Sequence, residues 1–433
     1  MEISALVMIV LFVILMAMNV PIAICIGMAT MIAMLFTIDS SAALTTMAQQ
    51  MAGGVNSFAL LAIPFFILAG QLMGRGGIAH RLIEFAKVLI GRLPGGLALV
   101  NVLSSMLFGS ISGSAVAATS AIGGFMIPEM NKQGYKKEFN TAVTVASSTT
   151  GLLIPPSNIL IVYSLASGGV SIGALFLAGY LPGVLIGLMI MACCMVYATV
   201  HNYPKSERFG IKQSAFKILD AIPSLLMIVL IIGGIVGGIF TATEASVLAV
   251  LYALVLSVGV YRQVRLSELP SILVATVETT AIVMFLIATS AAMSWMLSYE
   301  QIPQLLSQAL LTLSENPIIV LLLINLILLV VGTFMDMTPA VLIFTPIFLP
   351  VVAEMGISPL HFGIMMILNL CIGLCTPPVG TVLFVGCGVG NTRIADLIKP
   401  LLPMYGAMIV ALMLVTFIPE ISEFLPRWFG FIT

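Results

Sequence analysis

Charge is what this sequence has least of. Only 8% of its 433 residues are Asp, Glu, Lys or Arg, and 61% are hydrophobic; ordinary soluble domains carry about 25% charged residues. A soluble fold so poor in charge has little to cover its surface with, whereas a bilayer accepts apolar side chains on the outside. A net charge of −1 leaves no basic excess, so no nucleic-acid partner is indicated. The six cysteines, Cys25, Cys193, Cys194, Cys371, Cys375 and Cys387, lie in apolar stretches without a CxxC pair. That argues against a disulfide framework or zinc site and makes them packing residues. A G-x-x-x-x-G-K-S/T loop is lacking, so ATP does not energise this chain directly. HExxH and paired acids are lacking too, so neither an enzyme nor a bound cofactor is expected. His80, His201 and His361 fall at expected loop edges and are not read as ligands. No basic segment precedes the first apolar run, which reads as a membrane helix and not as a cleaved signal.

The few charges are placed with order. Basic residues of a membrane protein mark its cytoplasmic loops. Arg75, Arg81, Lys87 and Arg92 form one cluster, Lys132, Lys136 and Lys137 a second, and Lys205, Arg208, Lys212 and Lys217 a third. Arg262 with Arg265 and Arg393 with Lys399 complete five loops, leaving only Arg427 elsewhere. Between Arg92 and Lys132 runs an apolar stretch, about 96–130, interrupted by Phe108-Gly-Ser-Ile-Ser-Gly-Ser-Ala115. Both its ends are cytoplasmic, and each arm has about 13–15 residues, short of the roughly 20 of a full span. The expectation is a re-entrant hairpin with Ser110–Ser114 at its tip. Spans are expected around it at about 4–18, 21–36, 56–73, 138–166 and 173–200, with the N-terminus outside.

The same grammar returns about 222 residues later. Gly151-Leu-Leu-Ile-Pro-Pro-Ser157 matches Gly373-Leu-Cys-Thr-Pro-Pro-Val379, Ile127-Pro128 matches Leu349-Pro350, and Gly134 matches Gly356. Gly109-Ser110 pairs with Gly332-Thr333 one residue out of phase, and Asn19–Ala23 aligns with Thr241–Ala245. Five crossings in the first copy are an odd number, so the second copy starts from the opposite side. Its hairpin, about 317–353, should open outward, in keeping with Glu315 and Glu354 at its flanks. The expected fold is an all-α integral membrane protein of two inverted-topology repeats, 1–210 and 211–433. Each has a hairpin and a Pro-Pro-broken helix, at about 138–166 and 360–388. Secondary transporters have this architecture, with the solute site near the midplane between the repeats.

Irregular backbone inside a membrane survives where it lines a cavity or is buried in protein. Four such segments are expected: the tips Gly109–Ser114 and Gly332–Thr338, and the breaks at Pro155-Pro156 and Pro377-Pro378. Proline has no N–H and clashes with the carbonyl four residues back, which frees the carbonyls of Gly151, Leu152, Gly373 and Leu374. Free carbonyls and hydroxyls together make an oxygen cage suited to Na⁺. In the first copy Gly109, Ser110, Ser112, Gly113, Ser114, Gly151 and Pro155 are the candidates. In the second they are Gly332, Thr333, Asp336, Thr338, Gly373, Thr376, Pro377 and Thr381. The alternative is a kinked helix whose Ser and Thr bond their own backbone. Asp336 is a membrane-buried charge or one facing water at the hairpin mouth; Glu244 and Glu278 are read as structural. Ser112, Ser157, Asn158 and Gly380 are the candidate solute contacts. No Lys or Arg falls in a tip or break, so helix N-termini, hydroxyls, Asn158 and bound cations must neutralise an anionic solute.

At these residues the sequence resembles the large membrane subunit of tripartite ATP-independent periplasmic (TRAP) transporters. The matching pieces are Ser57-Phe58, Leu61-Ala-Ile-Pro-Phe-Phe-Ile-Leu-Ala-Gly70, Ser112-Gly-Ser-Ala115, Ile154-Pro-Pro-Ser157, Phe240-Thr-Ala-Thr-Glu-Ala245, Met335-Asp336 and Thr376-Pro-Pro378. The resemblance implies a bacterial inner-membrane location, a small four-helix membrane subunit as partner and a periplasmic solute-binding protein that delivers the solute. It also implies sodium-coupled, elevator-like uptake of a small carboxylate, such as a C4-dicarboxylate, sialic acid or another sugar acid. A stand-alone sodium–carboxylate symporter is the competing expectation.

Overall fold

The computed structural model describes residues 2–204, 210–313 and 316–432; Lys205, Arg208 and Glu315 lie outside the described residues. Its regular structure is helical: α1 (Glu2–Ala17), α2 (Ile22–Thr37), α3 (Ser40–Val55), α4 (Ala62–Arg75), α5 (Ile78–Ile90), α6 (Gly96–Ser112), α7 (Ala115–Lys132), α8 (Lys137–Thr150), α9 (Asn158–Ala166) and α10 (Ile172–Val200). The chain continues through α11 (Ile211–Val236), α12 (Ala242–Leu254), α13 (Leu269–Tyr299), α14 (Ile302–Leu313), α15 (Pro317–Phe334), α16 (Met337–Glu354), α17 (Pro359–Leu374), α18 (Thr381–Gly390), α19 (Ile394–Phe417) and α20 (Glu420–Trp428). Among the described residues, 8 helices are long and apolar enough to cross a membrane. Their outer faces carry exposed Leu, Ile, Val and Phe, as a lipid solvent permits.

The first hairpin departs from its expected outline. Its arms have 17 and 18 residues, longer than the short arms expected, and the turn is confined to Gly113 and Ser114. Gly113 ends α6 in the left-handed region at φ 61, its N–H bonded to Gly109 O, while Ser114 Oγ caps α7 by accepting from Ala117 N–H. Two residues suffice to reverse the chain, so Ser110 and Ser112 stay helical. Four further helices, α3, α5, α14 and α20, fall outside the expected spans. For two of them the sequence carries a signal: Asp39 caps α3, and Ile78, Ala79, Leu82, Ile83 and Ala86 give α5 one buried face at helical spacing. Glu244 closes a capping box with Thr241 at the start of α12, the structural role read for it.

The centre is formed by α8 and α17. Every residue from Phe139 to Thr150, and from Leu360 to Leu374, is buried. Half of that α8 stretch is Ser or Thr, and these hydroxyls donate to carbonyls three or four residues back, so they are satisfied in an apolar interior. His361 is part of this buried centre, not a loop edge. It sits in the first turn of α17, bonded to Ser422 Oγ and Thr416 O.

The basic clusters meet on one face. Arg81 pairs with Asp220 at 3.1 Å and lies over the Tyr261 ring, Lys217 and Lys87 pair with Glu84, and Arg75 donates to Ser271. Tyr135 donates to Pro204 O, and Lys136 N–H to Tyr203 Oη. Gly390, three residues before Arg393, lies against Thr141 near the start of α8.

Candidate functional site

Each hairpin lies, near its tip, against the break of a broken helix, and glycine makes the approach possible. A Cβ on Gly151 would come within 2.4 Å of Gly109 Cα, and one on Gly373 within 2.6 Å of Gly332 Cα. Both crossings put backbone directly on backbone. The breaks run between α8 and α9 and between α17 and α18, and the Pro155–Pro156 and Pro377–Pro378 peptides are cis. The second break is stitched to its hairpin, because Val379 and Gly380 N–H both donate to Thr333 O.

The expected free carbonyls are only partly free. Gly373 O accepts Thr376 N–H at 2.9 Å in the turn that closes α17. Among the described residues, no backbone hydrogen bond reaches Gly151 O, Leu152 O or Leu374 O. The first break is buried from Gly151 to Ser157, while Pro378 and Val379 of the second are exposed.

A cavity of about 740 Å³ opens between the tips and helices α4 and α13. Ser112, Gly113, Ser114, Asn158, Asp336, Thr338 and Thr381 line it; Ser110, Ser157, Thr333, Thr376 and Gly380 do not. Thus the structure gathers the first tip, the second tip and the start of both distal half-helices at one place. Asp336 is exposed to this cavity, and its Oδ1 accepts from Thr381 Oγ1 at 3.4 Å. Its carboxylate thus opens on the cavity and is not packed away inside the hairpin.

The hydroxyls divide into two kinds. Ser110, Thr333 and Thr376 donate to the backbone of their own helices, at Leu107 O, Val330 O and Ile372 O. Ser112 makes a long bond of 3.4 Å to Ser114 O. Ser157 Oγ and Asn158 Oδ1 are buried and have no partner among the described residues. Asn158 also packs on the first tip, its Nδ2 3.1 Å from where a Gly113 Cβ would stand. A donating hydroxyl keeps lone pairs, so this shell offers oxygen acceptors and suits a hard cation by its donor set.

The opposite wall was not anticipated. It consists of Ile63, Ile67, Gly70, Gln71, Gly74 and Arg75 of α4 with Thr279 and Val283 of α13. The signal available was Gln71 and Arg75, four apart at the end of an otherwise apolar helix. Glu278, beside Thr279, is exposed.

Hairpin tips and broken helices that converge on a cavity within a bundle of membrane-spanning helices define a membrane transport protein. The family follows from its relatives. The model of the tripartite ATP-independent periplasmic transporter, DctM component, matches residues 9–421, and the chain belongs to that family. A Salmonella typhimurium protein, YgiK, described as uncharacterized, is 52% identical over 97% of this chain and 96% of its own. The C4-dicarboxylate TRAP transporter large permease protein DctM of Pseudomonas aeruginosa is 41% identical over 86% and 87%. The sialic acid TRAP transporter large permease protein SiaM of Vibrio cholerae is 41% identical over 90% and 92%. Among solved structures, the YdaH transporter of Alcanivorax borkumensis superposes with a TM-score of 0.60 at 17% identity, over 92% of this chain and 90% of that one; that likeness is one of fold. The chain is a large permease subunit and a multi-pass protein of the inner membrane.

Proposed function

We propose that the chain carries a small carboxylate into the cell, driven by Na⁺. The carrying observation is the pair of orphaned oxygens, Ser157 Oγ and Asn158 Oδ1, beside a glycine-built tip. Buried polar atoms without partners cost stability unless a ligand satisfies them. Na⁺ would sit between the first tip and its break, among Gly109, Ser110, Ser112, Gly113, Ser114, Gly151, Leu152, Pro155 and the unpartnered Ser157 hydroxyl. A second ion would sit among Gly332, Thr333, Asp336, Thr338, Gly373, Thr376, Pro377 and Thr381. The solute would occupy the cavity against Ser112 and Asn158, with Ser157 and Gly380 behind it. C4-dicarboxylate and sialic acid are the solutes in the names of two relatives. No further cofactor enters this reading.

The mechanism we infer is of elevator type. Two inverted repeats, 1–210 and 211–433, would supply the tips and breaks as one moving body, α6–α9 and α15–α18. Helices such as α4, α12 and α13 would stand as the scaffold. A small four-helix membrane subunit and a periplasmic solute-binding protein are the partners in this reading, as "tripartite" in the family's description suggests. The test is uptake into proteoliposomes of labelled succinate and N-acetylneuraminate, with and without a sodium gradient and with and without the cognate partners. Sodium-dependent accumulation that needs the partners is expected. Accumulation by the chain alone would favour a stand-alone sodium–carboxylate symporter, and sodium-independent accumulation would overturn the coupling.

A further inference from the structure

We propose that Arg75 forms an anion-binding subsite on the scaffold wall of the cavity, at its cytoplasmic end, which takes the carboxylate of the solute. The proposal rests on the carboxylate-carrier reading and adds the cation that the tips and breaks lack. Ile63, Ile67, Gln71 and Arg75 all line the cavity, and their spacing of four sets them in one stripe along α4. The stripe runs from apolar to amide to guanidinium toward the face of the basic loops. Among the described residues that line the cavity, Arg75 is the one cation and Asp336 the one anion.

Its charge is not matched by a carboxylate. Arg81 pairs with Asp220, Lys87 and Lys217 with Glu84, and Arg427 with Glu423. Arg75 instead donates from Nη1 to Ser271 Oγ at 2.9 Å, and that hydroxyl donates onward to Glu268 O. The anchor orients the guanidinium with one of its five donors and leaves the others for a ligand. A held, unpaired guanidinium beside a cavity is suited to two parallel bonds to a carboxylate. Gln71, one turn earlier, adds an amide donor. This wall belongs to α4, whereas Ser112, Asn158 and Asp336 belong to the hairpins and broken helices. The carboxylate would thus meet a fixed cation once the cavity faces the cytoplasm.

The test reads the potential in the cavity without needing to know the solute. Ser120 is exposed, lines the cavity and takes no part in the proposed sites, so Ser120→Cys serves as reporter in the full chain. Its rates of modification by an anionic (sulfonatoethyl) and a cationic (trimethylammonioethyl) methanethiosulfonate are measured in inside-out vesicles. Labelling of the chain that retains Ser120 is subtracted as the blank. Arg75→Gln should lower the anionic-to-cationic rate ratio about tenfold, equivalent to about 1.4 kcal/mol, and Arg75→Lys should restore most of it. In uptake assays with succinate and N-acetylneuraminate, Arg75→Gln should raise the half-saturating concentration severalfold with membrane abundance unchanged. A ratio that moves less than twofold overturns the subsite, even where uptake of carboxylate continues. A lowered ratio with no carboxylate taken up by the wild type supports the anion seat and instead overturns the carrier reading beneath it.

Discussion

Ser157 Oγ and Asn158 Oδ1 are buried without a partner, as some other side-chain oxygens of the chain are, but these two stand at the first break, where Asn158 packs on the first tip. An unsatisfied buried oxygen costs about 1–3 kcal/mol. Ser157→Ala should therefore leave the thermal midpoint in sodium-free detergent unchanged or slightly raised. In sodium, the same variant should lose several degrees of sodium-dependent stabilisation and need severalfold more Na⁺ for half-maximal uptake. Equal sodium responses in wild type and variant would remove Ser157 from the cage. Asp336, exposed at the cavity and touching Thr381, supplies charge in place of burial. Asp336→Asn should lower sodium-dependent uptake about tenfold, the loss of one charge–cation interaction of about 1.4 kcal/mol, with normal membrane insertion. The hydroxyl-rich tips were legible as residue types in the sequence. Which hydroxyls stay free was not, since Ser110, Thr333 and Thr376 turn to carbonyls that only the helical backbone brings within reach.

At the scale of elements, two glycine crossings hold tips to breaks. Gly151→Ala would set a methyl group 2.4 Å from Gly109 Cα, with backbone on both sides and no flexible side chain to yield. Overpacking of this kind costs about 1–3 kcal/mol. A lower unfolding midpoint and lost uptake are expected, while Gly124→Ala, in open space on α7, should change neither. Helix α5 is fastened differently, to α11 through Arg81–Asp220 and Glu84–Lys217. Burial pushes the Glu84 carboxyl up, but the bonds and charges of Lys217 and Lys87 outweigh it and leave it below its ordinary value. A lowered acid stabilises the fold above its unfolded pKa of about 4.3, and that stabilisation disappears as pH falls through the folded value. Glu84→Gln should thus lower the midpoint at pH 7 by the equivalent of about 1 kcal/mol, and the gap to wild type should close below about pH 4. A gap independent of pH would assign the effect to packing.

For the whole molecule the question is orientation. The basic loops share one face through Arg75–Ser271, Arg81–Asp220 and Tyr135–Pro204, and the positive-inside rule predicts that such a face is cytoplasmic. A cysteine at exposed Ser171, between α9 and α10, should label from outside intact cells with an impermeant reagent. One at exposed Gln213, at the start of α11, should label only after permeabilisation. Labelling at both positions from outside would refute the orientation and with it the cytoplasmic placement of Arg75.

Composition and charge placement alone determined that this is a membrane protein. Spacing alone located the tips and breaks, because glycine, paired proline and clustered serine cannot sit in lipid without a reason in the backbone. Helices α3 and α5 were missed, although the Asp39 cap and the helical spacing of Ile78, Ala79, Leu82, Ile83 and Ala86 stand in the sequence as their signals. Only the tertiary structure decided that Asp336 meets Thr381, that Asn158 lies against Gly113, and that α4 closes the cavity with Arg75. These contacts join residues tens to hundreds of positions apart, and a local pattern carries no information about which distant surface will face it. Packing α4 and α13 against the hairpins set that, and with it where Arg75 stands on the cavity wall.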